Sequence, residues 1–152
     1  MASEKIIKSI KALQEQVLEF DGMIIPGCDD NQIINLEKQI KQKLNFEPDS
    51  VHISFLRITN GFEWNGFIMY ASEKIQVTRK FALGAFIDEN LIWRSMYTDF
   101  SKKMIFGEAD MDIYIKDIET NKYRVMSKTS NQVFEEFETF DDLICFGIEK
   151  YL

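Results

Sequence analysis

Apolar residues recur at spacings of 4, 3 and 4 in Ile6, Ile10, Leu13 and Val17, which puts all four on one face of a helix. Ser3 is placed to cap that helix, and Glu4 suits its first turn, where the backbone dipole is positive. The stretch from Asp21 to Asp30 breaks the pattern with Gly22, Pro26 and Gly27. A second helix follows, capped by Asp29 or Asp30, with Ile33, Leu36, Ile40 and Leu44 as its apolar stripe. Pro48 fits the first turn of a third helix, where its missing N–H costs nothing. Val51, Phe55 and Ile58 face one way on it, and Asn60-Gly61 ends it, because glycine tolerates the left-handed conformation of a C-cap.

Beyond Gly61 the period changes. Phe62, Trp64, Phe67, Met69 and Tyr70 form an aromatic, strand-like run interrupted by Asn65-Gly66, a tight hairpin turn or a bulge. Ile87 to Met96 is expected to be helical, with Asp88 as its cap. Met111, Ile113 and Ile115 alternate with Asp112, Tyr114 and Lys116, the pattern of a half-buried strand. Glu119 to Lys122 turns the chain, Tyr123 and Val125 return it, and Val133 to Phe137 adds a short edge strand. Thr139 then caps a closing helix with Phe140, Ile144, Ile148 and Tyr151 on its inner face. Helices lead, antiparallel strands occupy the middle, and a helix closes the chain. This order predicts an α+β fold in which N-terminal helices and a C-terminal helix pack on a single antiparallel sheet. Without repeats, low-complexity segments or a linker, residues 1–152 read as a single domain.

Composition narrows the function classes. A hydrophobic fraction of 45% excludes a disordered chain. The net charge of −7 repels phosphate backbones, so nucleic acid is not an expected ligand, whereas a basic protein partner is attracted. The longest uncharged run is nine residues, Trp64 to Ser72, too short for a membrane span, and the charged N-terminus lacks the apolar core of a secretory signal; a cytoplasmic location is expected. Cys28 and Cys145 lie far apart with no zinc-site spacing and read as small buried hydrophobes.

Catalytic motifs are missing from the sequence: no nucleophile elbow, zinc-protease helix, P-loop or dinucleotide loop occurs. The one histidine, His52, lies among core residues and reads as structural. Two acidic runs remain. One holds Glu108, Asp110, Asp112, Asp117 and Glu119; the other holds Glu135, Glu136, Glu138, Asp141 and Asp142. Asp110 and Asp112 lack the glycine and bidentate glutamate of a calcium loop. Three readings of these runs compete: paired carboxylates for glycoside hydrolysis, a plain solvated face, and a protein-binding face. The last combines carboxylates with aromatics expected to be exposed, Trp64, Tyr114 and Tyr123. The contact residues expected on this reading are Trp64, Glu108, Asp110, Asp112, Tyr114 and Asp117, with no catalytic residue, metal or cofactor.

The segment SFLRITNGFEWNGFIMYAS, with Phe55, Leu56, Asn60 and Gly61 ending a helix ahead of an aromatic strand, resembles the SUKH superfamily of bacterial immunity proteins and fungal cell-wall-assembly regulators. The downstream hairpin DIYIKDIETNKYRVM and FETFDDLICFGI agree with it, and NGFEWNGFIMY is most similar to the YrhA-like branch. One departure stands out: relatives carry an LP…Y motif at the third helix, where here Pro48 precedes Asp49 and Ser50. The resemblance implies a non-catalytic α+β domain that binds and neutralises a cognate toxin protein. Many such toxins are nucleases with basic clefts, which suits an acidic inhibitor. The alternative it implies is a protein–protein interaction module in a regulatory scaffold.

Overall fold

The computed structural model describes residues 2–152. Helix α1, Glu4–Glu19, starts where the Ser3 hydroxyl accepts the Ile6 N–H, and it buries Ile6, Ile10, Leu13 and Val17. Helix α2, Asp30–Gln39, is capped by Asp29 in a capping box: the Asp29 carboxylate accepts the Gln32 N–H while the Gln32 side chain accepts the Asp29 N–H. It runs into a π-helical turn, Ile40–Leu44, that ends at Asn45 in the left-handed conformation. Ile33, Leu36, Ile40 and Leu44 are all buried, as their spacing predicts.

Helix α3, Ser50–Ile58, begins two residues later than its proline suggested. Asp49 is the cap, accepting the Val51 and His52 N–H groups at 3.0 and 3.1 Å, so Pro48 precedes the helix rather than opening it. The buried arc is also shifted: His52, Ile53, Phe55 and Leu56 are inside, while Val51 and Ile58 are only half-buried. His52 is wedged among the rings of Phe86, Phe106 and Phe140, with centroids 4.7 to 5.6 Å away.

The end of α3 differs from the expected glycine cap. Thr59, in extended conformation, is the C-cap, and Asn60 begins a buried joint. The Asn60 N–H donates to the Pro26 carbonyl, its Nδ2 to Ser72 Oγ, and its Oδ1 accepts the Ser72 N–H at 2.7 Å. The Thr59 hydroxyl lies 2.9 Å from the carbonyl oxygens of both Ile25 and Gly61. Gly61 does have a positive φ, +76°, but it serves the turn into the sheet. A Cβ there would fall 2.5 Å from the Met69 carbonyl oxygen.

Strands β1 (Phe62–Trp64) and β2 (Phe67–Met69) form a hairpin closed by Asn65 and Gly66, both with positive φ. That is the two-residue turn whose twist matches paired strands. Trp64 pairs with Phe67 and Phe62 with Met69, so all four side chains share one face. A two-stranded ribbon follows, β3 (Ile75–Gln76) with β4 (Ala82–Leu83), which short, mixed sequence did not signal. Helix α4, Phe86–Met96, has Ala85 at its N-cap position. Asp88 does not cap it, because the helix starts earlier, where the Phe86 N–H donates to the Ala71 carbonyl. Strands β5 (Lys103–Glu108), β6 (Asp112–Asp117), β7 (Lys122–Ser127) and β8 (Val133–Phe137) complete a six-stranded antiparallel sheet in the order β1-β2-β5-β6-β7-β8. Helix α5, Phe140–Tyr151, is capped by the Thr139 hydroxyl.

The fold is therefore α+β, with helices packed on an antiparallel sheet, and the ribbon β3-β4 stands beside that sheet. Helix α5 approaches closely at Gly147, where a Cβ would meet the Phe67 ring at 2.5 Å. Asn90 of α4 acts as a substitute strand: its amide donates to the Ile105 carbonyl and accepts the Ile105 N–H, both at 2.8 Å. Strand β6 is buried on both faces, not one. Asp112, Tyr114 and Lys116 point towards α5 and the start of α3, while Ile113 and Ile115 lie on the opposite face, where Glu108 meets Tyr70 and Trp93. Cys28 and Cys145 are free and buried, and burial pushes both thiols up in pKa. No helix among the described residues is long and apolar enough to cross a membrane.

Two measurements check this account. Gly61→Val should lower the denaturation midpoint by the equivalent of about 2 kcal/mol or more, since it meets both backbone strain and the Met69 carbonyl. His52 is fully enclosed, neither ring nitrogen has a hydrogen-bond partner, and burial pushes its pKa down to about 4, against a smaller opposing pull from Asp49. Its unfolded form takes a proton near pH ~6.5 and its folded form does not until about 4. Stability should therefore be full above pH ~6.5 and fall as pH drops towards 4, by about 3 kcal/mol at most. His52→Leu should flatten that slope in urea titrations across the same range.

Candidate partner-binding surface

The acidic run 108–119 does not form one surface. Ladder partners share a face, so Asp112 and Tyr114 lie on the side covered by α5, while Glu108 and Asp117 lie on the other side. Asp112 and Asp117 also stand at opposite ends of β6, about 17 Å apart along the strand. Most of these carboxylates are committed inside the fold. Asp112 is buried and pairs with Lys150 at 3.3 Å. Asp117 pairs with Arg124 at 2.8 Å and accepts the Glu119 N–H, which shapes the β6–β7 turn. Glu108 accepts the Tyr70 hydroxyl at 2.6 Å and lies 3.5 Å from Lys128. Asp110 alone among the four is exposed, in the turn between β5 and β6.

The expected exposed aromatics need the same correction. Tyr114 is fully buried, with its ring 4.7 Å from Phe67 and its hydroxyl unpartnered. Burial pushes its pKa up. Tyr123 is buried as well and donates to Asp49. Alternation along β6 carries no information about a second layer of helices, and that layer buries Tyr114. Trp64, by contrast, is half-buried and remains accessible. Its Nε1 donates to Gln16 Oε1 at 3.3 Å, and its ring lies 5.9 Å from Phe20.

Trp64 borders an open, largely apolar cleft of the surface. A cleft of about 370 Å³ runs between the end of α1, the following loop, the β1–β2 hairpin and the ribbon. Val17, Met23, Trp64, Val77 and Phe81 supply its apolar lining, and Asp21 and Glu63 its carboxylates. A smaller hollow reached past Val17 and Met23 extends it towards Ile10 and Leu13. Phe20 beside it is 69% exposed, and Leu18 and Met23 are exposed too. Neighbouring exposed apolar side chains of this size, rimmed by charge, mark interaction surfaces more often than they mark idle surface. Sequence reading missed Phe20 and Met23 because they fall in the irregular stretch after α1, where no periodicity shows which way a side chain points. It missed Val77 and Phe81 with the ribbon that carries them.

Among the described residues, no group of three or more His, Cys, Asp or Glu side chains is placed to hold a metal ion. No family model matches the chain, and no curated protein matches it either.

The division of the acidic run is directly measurable. Asp117→Lys sets a second cation beside Arg124, and Asp112→Lys buries one next to the half-exposed Lys150; each should cost about 2 kcal/mol in chemical denaturation. Asp110→Lys should stay within about 0.5 kcal/mol of the parent.

Proposed function

We propose that this protein is a non-catalytic immunity protein of the SUKH superfamily that works in the cytoplasm by binding and neutralising a cognate, basic toxin protein. The observation that carries the reading is the apolar cleft at Trp64, with Phe20 and Met23 exposed beside it and Glu19, Asp21 and Glu63 around it. A pocket able to take an apolar anchor, with carboxylates at its rim, suits an anchor flanked by Lys or Arg. The resemblance around Asn60-Gly61 supports the family, and the net charge of −7 supports the sign of the partner. Inhibition by such a protein is stoichiometric: it covers or distorts the toxin's working surface and needs no chemistry of its own.

The test is co-expression with a toxin encoded beside it, followed by association kinetics at two salt concentrations. Neutralisation is expected, with an on-rate that falls as salt rises, because rim charges act over the ~8 Å screening length at physiological salt. Phe20→Ala and Trp64→Ala should each weaken binding about tenfold or more, mainly through faster dissociation, with thermal unfolding recorded in parallel. A neighbouring toxin left fully active would overturn the reading. So would neutralisation indifferent to both substitutions in folded protein, as far as the cleft is concerned.

A further inference from the structure

The two edges of the six-stranded sheet are treated differently. At β1, the loop through Ile24 and Ile25 lines the same hollow as Phe62 and Glu63, so that edge is flanked by the chain itself. At the other end of the strand order lies β8, and no described element pairs with its outer side. Half of its backbone N–H and C=O groups therefore face outward with no strand to receive them. Val133, Phe134, Glu135 and Glu136 are all exposed, Phe134 by 47%. Protected edges carry charge and few exposed apolar side chains; β8 carries charge beside an exposed Phe134.

We propose that β8 is a strand-addition site, and that its occupant is an extended segment of a protein partner with Lys or Arg on one face and apolar residues on the other. The proposal rests on the reading above that the chain binds a protein. Three observations choose this occupant. The open backbone of β8 matches an extended segment, whose own N–H and C=O groups gain partners there. Glu135 shares its face with Phe137 and has no ion pair among the described residues, so a basic side chain beside it gains an unshared carboxylate. Glu136 is already paired with Arg124, and Val133 and Phe134 offer apolar contact next to it. A second copy of the chain is the poorer occupant. Two-fold pairing along the full strand centres on Glu135 and sets it against its own copy, and like charges directly opposite destabilise a ladder. The site lies some five strand spacings, about 24 Å, from the β1 edge and its cleft, so the two surfaces can be tested separately.

The probe is a capped peptide of about eight residues alternating Lys and Val, titrated into the full chain and followed by amide NMR and hydrogen exchange. Shifts and new protection should concentrate in residues 132–138. A peptide of equal charge with alternate backbone nitrogens methylated should bind about tenfold more weakly, because it cannot complete the ladder. A Glu-Val peptide should not bind, and Glu135→Lys should weaken the Lys-Val peptide about fivefold with an unchanged melting temperature. Equal binding of the parent and methylated peptides, shifts centred on Trp64, absence of shifts, or β8 protection that grows with protein concentration alone would each overturn the proposal. Neutralisation of a toxin that survives β8 substitutions would remove this inference and leave the proposed function standing. Strand addition by the peptide without any toxin neutralisation would do the reverse.

Discussion

A single buried carboxylate organises the arrangement of helices over the sheet. Asp49 accepts two backbone N–H groups at the start of α3, pairs with Lys116 of β6 at 3.0 Å, and takes a hydrogen bond from the Tyr123 hydroxyl of β7. Burial alone would raise its pKa, but Tyr123, the His52 N–H and Lys116 together hold it below the usual carboxylate range. A charge taken out of water is tolerable only when its partners are in place, so this cluster ties the start of α3 to one position on the sheet. The aromatic cage around His52 lies just beyond it, and burial there keeps that imidazole neutral.

The other end of α3 is fixed by the Asn60 joint. Its side chain joins the backbone at Ser72 while its N–H holds Pro26, so the loop before α2, the helix end and the segment after β2 meet at one residue. Gly61 then turns the chain sharply enough for β1 to start beneath Met69. The cleft at Trp64 follows from this joint, because its walls are the hairpin and the ribbon that the joint sets against the loop after α1. The same motif that suggested a family by sequence is, physically, what positions the apolar cleft at Trp64.

Charge has two uses in this molecule. Carboxylates at Asp49, Glu108, Asp112 and Asp117 face cations or hydroxyl donors of the same chain and hold strands and helices in register. Others, such as Asp110 and Glu135, remain in solvent and contribute to the field that an approaching partner meets. Net charge measures their sum, so it speaks to the sign of a partner and not to the surface that receives it.

Periodicity and turn chemistry alone determined most of the elements, but not the ribbon or β5, which joins the hairpin to the rest of the sheet. The stripes of α1 and α2, the Ser3 and Thr139 caps and the Asn65-Gly66 hairpin all depend on residues near one another in the chain, where local geometry decides the outcome. Facing at long range was not determined that way. Tyr114 alternates with isoleucines on a strand, and alternation says only that neighbours point to opposite sides; it was the packing of α5 on one side, and of the face where Glu108 meets Tyr70 and Trp93 on the other, that buried both. Asp49 reads locally as a residue after a proline, and only the arrival of Lys116 and Tyr123 from distant strands made it a buried hub. The cleft joins positions 17, 23, 64, 77 and 81, which no repeat or spacing connects. Such surfaces arise where separate elements meet, so the tertiary structure decided them.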